Sequence, residues 1–323
     1  MTAWKETVGG RRALTILRSR PFLTVAIVAG VWIVASFVSR GFGAYGHLRY
    51  LVELAAVIGL VAAGQTFVVI AGGIDLSVAA IVTVSAVSLP LLSWQADPTG
   101  LTAVLAVLAL TTTIGLVNGL GVALLRVHPM IMTLAMATFL QGLLIIIAGG
   151  SAVTAENPLV RWLGNARPAG IPAGVLLWVA VSVIVLTAMH ATSFGARLFA
   201  MGANPLAAAL SGVPVASTTL AVYGISGFTS GLAGVLVLGM NGQGYVGIGD
   251  PYLLASIAAV VLGGTSILGG LGTYAGTIPG AILLVTITAL ITVVNASPGW
   301  RSILFGSLIL GLLLLSGREQ TRR

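Results

Sequence analysis

A chain of 323 residues that is 58% hydrophobic and only 7% charged has too little polar surface for a soluble fold, since soluble domains carry about 25% charged residues. It reads as an all-α polytopic membrane protein. The net charge of +8 does not mark a nucleic-acid partner, because the basic residues sit singly in short loops and in an N-terminal cluster.

The absence of cysteine excludes disulfides, thiolate metal sites and cysteine nucleophiles. The N-terminus reads Arg11-Arg12, then Arg18-Ser19-Arg20, then an apolar run from Pro21 to Val38. This run is long for a signal peptide and lacks a small-x-small exit, so an uncleaved first span is expected. About 20 apolar residues cross a bilayer. On that length the chain offers ten spans, at 22–39, 48–71, 75–95, 101–125, 129–149, 172–190, 216–240, 252–268, 273–294 and 299–316. The eighth is short and ends in glycines, so it reads either as a full span or as re-entrant. With the N-terminus inside, ten Lys and Arg fall on the inner side and five on the outer. The expected layout is a cytoplasmic segment 1–21, a transmembrane domain 22–316 with a cytoplasmic loop 191–215, and a cytoplasmic tail 317–323. Trp94, Trp162, Trp178 and Trp300 lie where interfacial anchors belong.

The stretch from Gly64 to Ser77 stands out. It runs apolar, breaks at Gly72-Gly73, carries the carboxylate of Asp75 and turns apolar again. A charge at a helix centre costs roughly 3 kcal/mol on insertion scales, and paired glycines free the backbone to leave helical geometry. One reading is a turn in which Asp75 or Ser77 caps the next span. The other is a broken helix lining a polar pathway. Gln65, Thr66 and Asn118 are uncharged hydrogen-bonding residues in or near apolar spans. They serve either the pathway or interhelical bonds, the latter favoured for Thr66.

Further on, residues 197–213 form the longest inner loop. Asn204 is a candidate N-cap, Pro205 suits the first helical position, Leu206 to Leu210 form helix well and Gly212 is a stop. A short cytoplasmic helix is expected there, with Leu206, Ala209 and Leu210 as its apolar face and Ala207 and Ala208 permitting close approach. Gly224, Gly227, Gly231 and Gly234, and again Gly272, Gly276 and Gly280, line helix faces. Such stripes let helices pack closely within one subunit or, alternatively, between subunits. Val68 to Gly73 echoes Ala259 to Gly264, which reads either as two repeated halves or as chance among 43 glycines. His47, His128 and His190 are scattered, so no metal site or catalytic set is expected. The only lysine is Lys5, so no phosphate-binding Gly-Lys loop exists in the chain.

Gly64-Gln65-Thr66 with Gly72-Gly73-Ile74-Asp75-Leu76-Ser77 resembles the signature of ribose-type permeases, the membrane subunits of bacterial ABC sugar importers. Ala258 to Ser266 with Leu268-Gly269-Gly270 matches a second signature of that family. Asn118-Gly119, with Pro129 and Thr133-Leu134, matches a third region. Gly202, Asn204, Ala207-Ala208 and Ser211-Gly212 match the loop by which such permeases dock on their ATPase, with Pro205-Leu206 where the family often has a charge. The family's acidic residue before Ala258-Ala259 is approximated by Asp250. The resemblance implies a permease subunit for a monosaccharide or small polyol in a bacterial inner membrane, with no cofactor of its own. It further implies a partner ATPase using ATP and Mg, a periplasmic or lipid-anchored binding protein and a second permease subunit. The competing reading, an ion- or proton-coupled transporter, needs buried ionisable residues along the path, for which only Asp75 and Glu53 qualify.

Overall fold

The computed structural model describes residues 20–39, 41–92, 97, 99–149, 151–154, 156–294, 297 and 299–320. The basic residues Lys5, Arg11, Arg12, Arg18, Arg40, Arg322 and Arg323, together with Trp94, lie outside them. The helices in chain order are α1 (Arg20–Val38), α2 (Tyr45–Ile70), α3 (Val78–Leu92), α4 (Leu101–Ala123), α5 (Pro129–Ala148), α6 (Pro158–Asn165), α7 (Ala173–His190), α8 (Ser193–Ala203), α9 (Pro205–Leu210), α10 (Val215–Asn241), α11 (Asp250–Leu262), α12 (Tyr274–Val293) and α13 (Gly299–Gln320). Each of the ten apolar runs holds one helix, and α6, α8 and α9 belong to the connections. Among the described residues, six helices are long and apolar enough to cross a membrane: α2, α4, α5, α7, α10 and α12.

Helix α2 is the hub. Of its most apolar window 94% is buried, against 22% for α5 at the periphery. A helix apolar on every side is stable in that central position because other helices cover all its faces. Glycine sets the spacing between the helices that surround it. Where α4 meets α10, a β-carbon on Gly227 would collide with the Thr111 carbonyl, and one on Gly115 with the Tyr223 carbonyl. Where α12 meets α11, Gly276 and Gly280 lie against the carbonyls of Gly263 and Ala259. Both stripes therefore serve packing inside the subunit. Trp178 departs from its expected place as an anchor. It is 4% exposed, packs over Gly59 and donates through Nε1 to the Tyr274 hydroxyl at 2.8 Å.

The connections gather at two ends. At one, Asn157 accepts from Val160 N to cap α6 and donates to the Gly100 carbonyl at 2.8 Å, while Val153 and Thr154 pair antiparallel with Gly244 and Gln243. Asp97 accepts hydrogen bonds from Thr99 and Thr102 there. These bonds, that of the Thr102 hydroxyl first, hold its carboxyl well below the usual carboxylate range. At the other end, Gly270 N donates to the Ile70 carbonyl at 2.8 Å and His190 meets Thr273 at 3.2 Å.

Two helices are too short to span alone. At 1.5 Å per residue, α3 with 15 residues and α11 with 13 reach only about 20 Å, against roughly 30 Å of hydrocarbon. The segment before α11 makes up the difference for that helix by descending along α3. Gly244 lies against the Ala86 carbonyl, and Gly249 lies against the Ala79 carbonyl with its N–H bonded to Thr83 Oγ1 at 3.1 Å. The contact moves seven residues down α3, about 10 Å. Helix α11 thus begins inside the bundle, which explains why the eighth apolar run is so short.

Candidate functional site

The break at Gly72-Gly73 is a helix stop with defined chemistry. Gly72 takes φ +86° and donates to the Val69 carbonyl, and Gly73 N donates to the Val68 carbonyl at 2.9 Å. This double bond pattern satisfies the last carbonyls of α2 and needs a residue tolerant of positive φ at its centre. Helix α11 ends the same way, with Gly264 at φ +89°, Gly264 N donating to Val261 and Thr265 N to Val260. The structural register of the echo therefore pairs Gly72 with Gly264. The sequence comparison, which aligned Gly73 with Gly264, is off by one residue because it matched glycine pairs and not cap positions.

Beyond the stop, the chain enters a buried polar knot. Asp75 and Ser77 are both 0% exposed. Asp75 Oδ1 accepts from Ser77 N at 2.9 Å and from Ser77 Oγ at 2.6 Å, and Oδ2 accepts from Ser226 Oγ on α10 at 2.7 Å. Asn118 on α4 donates through Nδ2 to Ser77 Oγ at 2.9 Å. Thr133 on α5 accepts from Leu76 N at 3.0 Å. The buried Tyr223 hydroxyl packs close to Gly73. Four helices (α3, α4, α5 and α10) are tied together through a seven-residue break. Asp75 turns the chain back on Ser77 within the break between α2 and α3, as the turn reading expects.

The structure brings Asp75, Ser77 and Asn118 together and leaves Gln65 and Thr66 apart from them in the hydrogen-bond network. Thr66 is 0% exposed, donates to the Ala62 carbonyl at 2.6 Å and meets Thr277 Oγ1 on α12 at 3.2 Å. It joins helices, as threonine does between packed spans. Gln65 is buried in α2, and neither end of its amide has a partner among the described residues. Thr133, which the sequence offered only as part of the third family region, joins the knot, and Ser226 and Tyr223 complete it without having been singled out by sequence. Ser226 and Tyr223 are three apart on a helix rich in small polar residues, and no local pattern separates them from their neighbours.

The inner connection is more structured than a loop. Helix α8, absent from the sequence reading, is capped by Thr192, which accepts from Gly195 N. It packs by Gly202, where a β-carbon would run into the Ile70 carbonyl. Asn204 Oδ1 then accepts from Ala207 N at 3.0 Å to start α9, with Pro205 in the first turn. Gly212, at φ +82°, ends it with Val213 N bonded to the Ala208 carbonyl, while Ser211 is the C-cap. Leu206 and Leu210 are 72% and 82% exposed, and Ala207 and Ala209 are exposed beside them. Ala208 corrects the expectation of an outward-facing alanine pair: it is 5% exposed and faces the permease. Gly202 likewise makes its close approach inside the chain.

Residues 48–313 match the family described as branched-chain amino acid transport system / permease component. The ribose import permease of Escherichia coli K12 is 31% identical over 323 residues, covering 98% of this chain and 99% of the relative. That of Bacillus subtilis 168 is 32% identical over 302 residues, covering 93% and 92%. The L-arabinose transport system permease of Escherichia coli K12 is 31% identical over 310 residues, covering 92% and 90%. With a family match over most of its length and relatives above 30% identity end to end, the chain belongs to the family of transporter permease components that includes the ribose and L-arabinose permeases.

Proposed function

We propose that this chain is the transmembrane subunit of an ATP-binding-cassette importer that moves a monosaccharide or similar small polyol across the bacterial inner membrane. The near-full-length relation to permeases named for ribose and L-arabinose carries the reading. Two nucleotide-binding subunits using ATP and Mg drive the cycle, a periplasmic or lipid-anchored binding protein delivers the sugar, and a second permease subunit completes the path. The exposed α9, fixed at both ends and seated through α8 on the end of α2, is suited to pass an ATPase movement into the bundle. Asp75 is held by three donors within helix packing and Glu53 lies 3.7 Å from Arg167, which disfavours a carboxylate-driven ion-coupled transporter. Uptake of D-ribose, L-arabinose or D-galactose into proteoliposomes is expected only with ATPase, binding protein and ATP present. Uptake by the chain alone, abolished by an ionophore, would instead establish the ion-coupled reading.

The basic-residue bias puts both termini and α8–α9 in the cytoplasm. The chain has no cysteine of its own, so single replacements report cleanly. Arg161→Cys and Ala207→Cys are expected to react with membrane-impermeant maleimide from opposite faces, Ala207→Cys only in inverted vesicles. Reaction of both from one face would refute this topology.

A further inference from the structure

We infer that the cleft between α3, α5 and α11 is a transit site for the sugar, with Asp250 accepting its hydroxyls and Gln141 and Thr138 completing the hydrogen bonds. This deepens the importer reading and rests on it. The cleft has a volume of about 280 Å³. Its wall is apolar, with Leu76, Ala79 and Ala80 on one side and Leu134 and Ala137 on the other. Three polar side chains open into it: Asp250 at the start of α11, and Thr138 and Gln141 one turn apart on α5.

Depth makes this arrangement unusual. The descent of residues 244–249 along α3 carries Asp250 down to the level of Ala79 and Thr83, inside the spanning layer. Asp250 is exposed there, and among the described residues nothing donates a hydrogen bond to its carboxylate or pairs with it. Gln141 is also exposed and, among the described residues, has no hydrogen-bond partner, while Thr138 bonds there only the Leu134 carbonyl of its own helix. A carboxylate facing lipid at such depth is costly, so this face borders water or a polar cargo. A second cavity, of about 290 Å³, flanks Asp250 on the α13 side and holds Arg301 and Ser302. Arg301 lines that cavity with no contact ion pair to Asp250 among the described residues, which leaves the carboxylate open from both sides.

The chemistry fits a polyol. An ionised carboxylate accepts two hydroxyls at once, while an amide and a hydroxyl each both donate and accept. The apolar wall suits the C–H face of a sugar ring. The volume lies at the small end for ligand pockets, which excludes large cargo. The polar knot supports the site, because Leu76 lines the cleft while its N–H is tied to Thr133 on α5.

The test uses the complete importer in proteoliposomes, supplied with labelled D-ribose, L-arabinose and D-galactose. Asp250→Asn is expected to lower uptake of the transported sugar at least tenfold, with ATPase and binding-protein association retained. Gln141→Leu and Thr138→Val lie on an exposed apolar helix face that tolerates them. Each is expected to lower uptake at least threefold and to change the ranking of the sugars. Wild-type uptake and ranking in Gln141→Leu and Thr138→Val would overturn the site while leaving the importer reading intact, even if Asp250→Asn failed to assemble. A wild-type importer that moves none of the three sugars would overturn the importer reading, and this site with it.

Discussion

Asp75→Leu is expected to abolish uptake and to lower the thermal stability of the detergent-solubilised permease. The substitution leaves Ser77 N, Ser77 Oγ and Ser226 Oγ without their acceptor in a region that is 0% exposed. Interhelical hydrogen bonds in membranes average about 0.6 kcal/mol each, whereas a buried unsatisfied group costs about 1–3 kcal/mol. Three such losses give on the order of 2–9 kcal/mol, enough to melt a marginally stable bundle. Asp75→Asn keeps one oxygen for Ser77, and its new amide faces a serine hydroxyl that can turn to accept, so a much smaller loss is expected. Thermal unfolding followed by fluorescence size-exclusion gives the order wild type, Asn, Leu. A Leu variant with wild-type melting and uptake would show that the knot holds nothing together.

The second large effect concerns the outer face of α9. Leu206→Asp with Leu210→Asp should eliminate ATPase co-purification and lower uptake more than tenfold, while the permease keeps its melting temperature. Both side chains are more than two-thirds exposed, so their replacement costs the fold little. Helix-in-groove recognition would lose its apolar anchors and gain two charges to desolvate. Ala208→Arg is expected to behave differently. Its side chain points into the permease, so it should lower melting temperature as well as uptake. Retained ATPase association in the double Asp variant would assign α9 to a merely connecting role.

Much of this was legible in the chain. Ten apolar runs gave ten helices because bilayer thickness fixes span length through backbone geometry alone. The start and stop of α9 were readable because an Asn-Pro cap and a Gly stop act over a few residues. The glycine stripes and the paired-glycine signatures likewise pointed to close packing and to the permease family.

Tertiary structure alone decided which side each polar residue faces. Asp75 meets Ser226 across 151 positions, and Trp178 meets Tyr274 across 96. Gln65 and Asn118 look in sequence like pathway residues, yet both are fully buried. Asp250 and Gln141, by contrast, open into a cleft where α5 and α11, distant in the chain, meet α3. Ala207 and Ala208 are identical in type and adjacent, yet one faces out and the other in. The physical reason is the solvent: lipid is as apolar as a protein core, so the outer faces of helices carry no polar stripe to mark them. Hydropathy therefore establishes that a helix lies in the membrane, and only its neighbours establish what its polar groups touch.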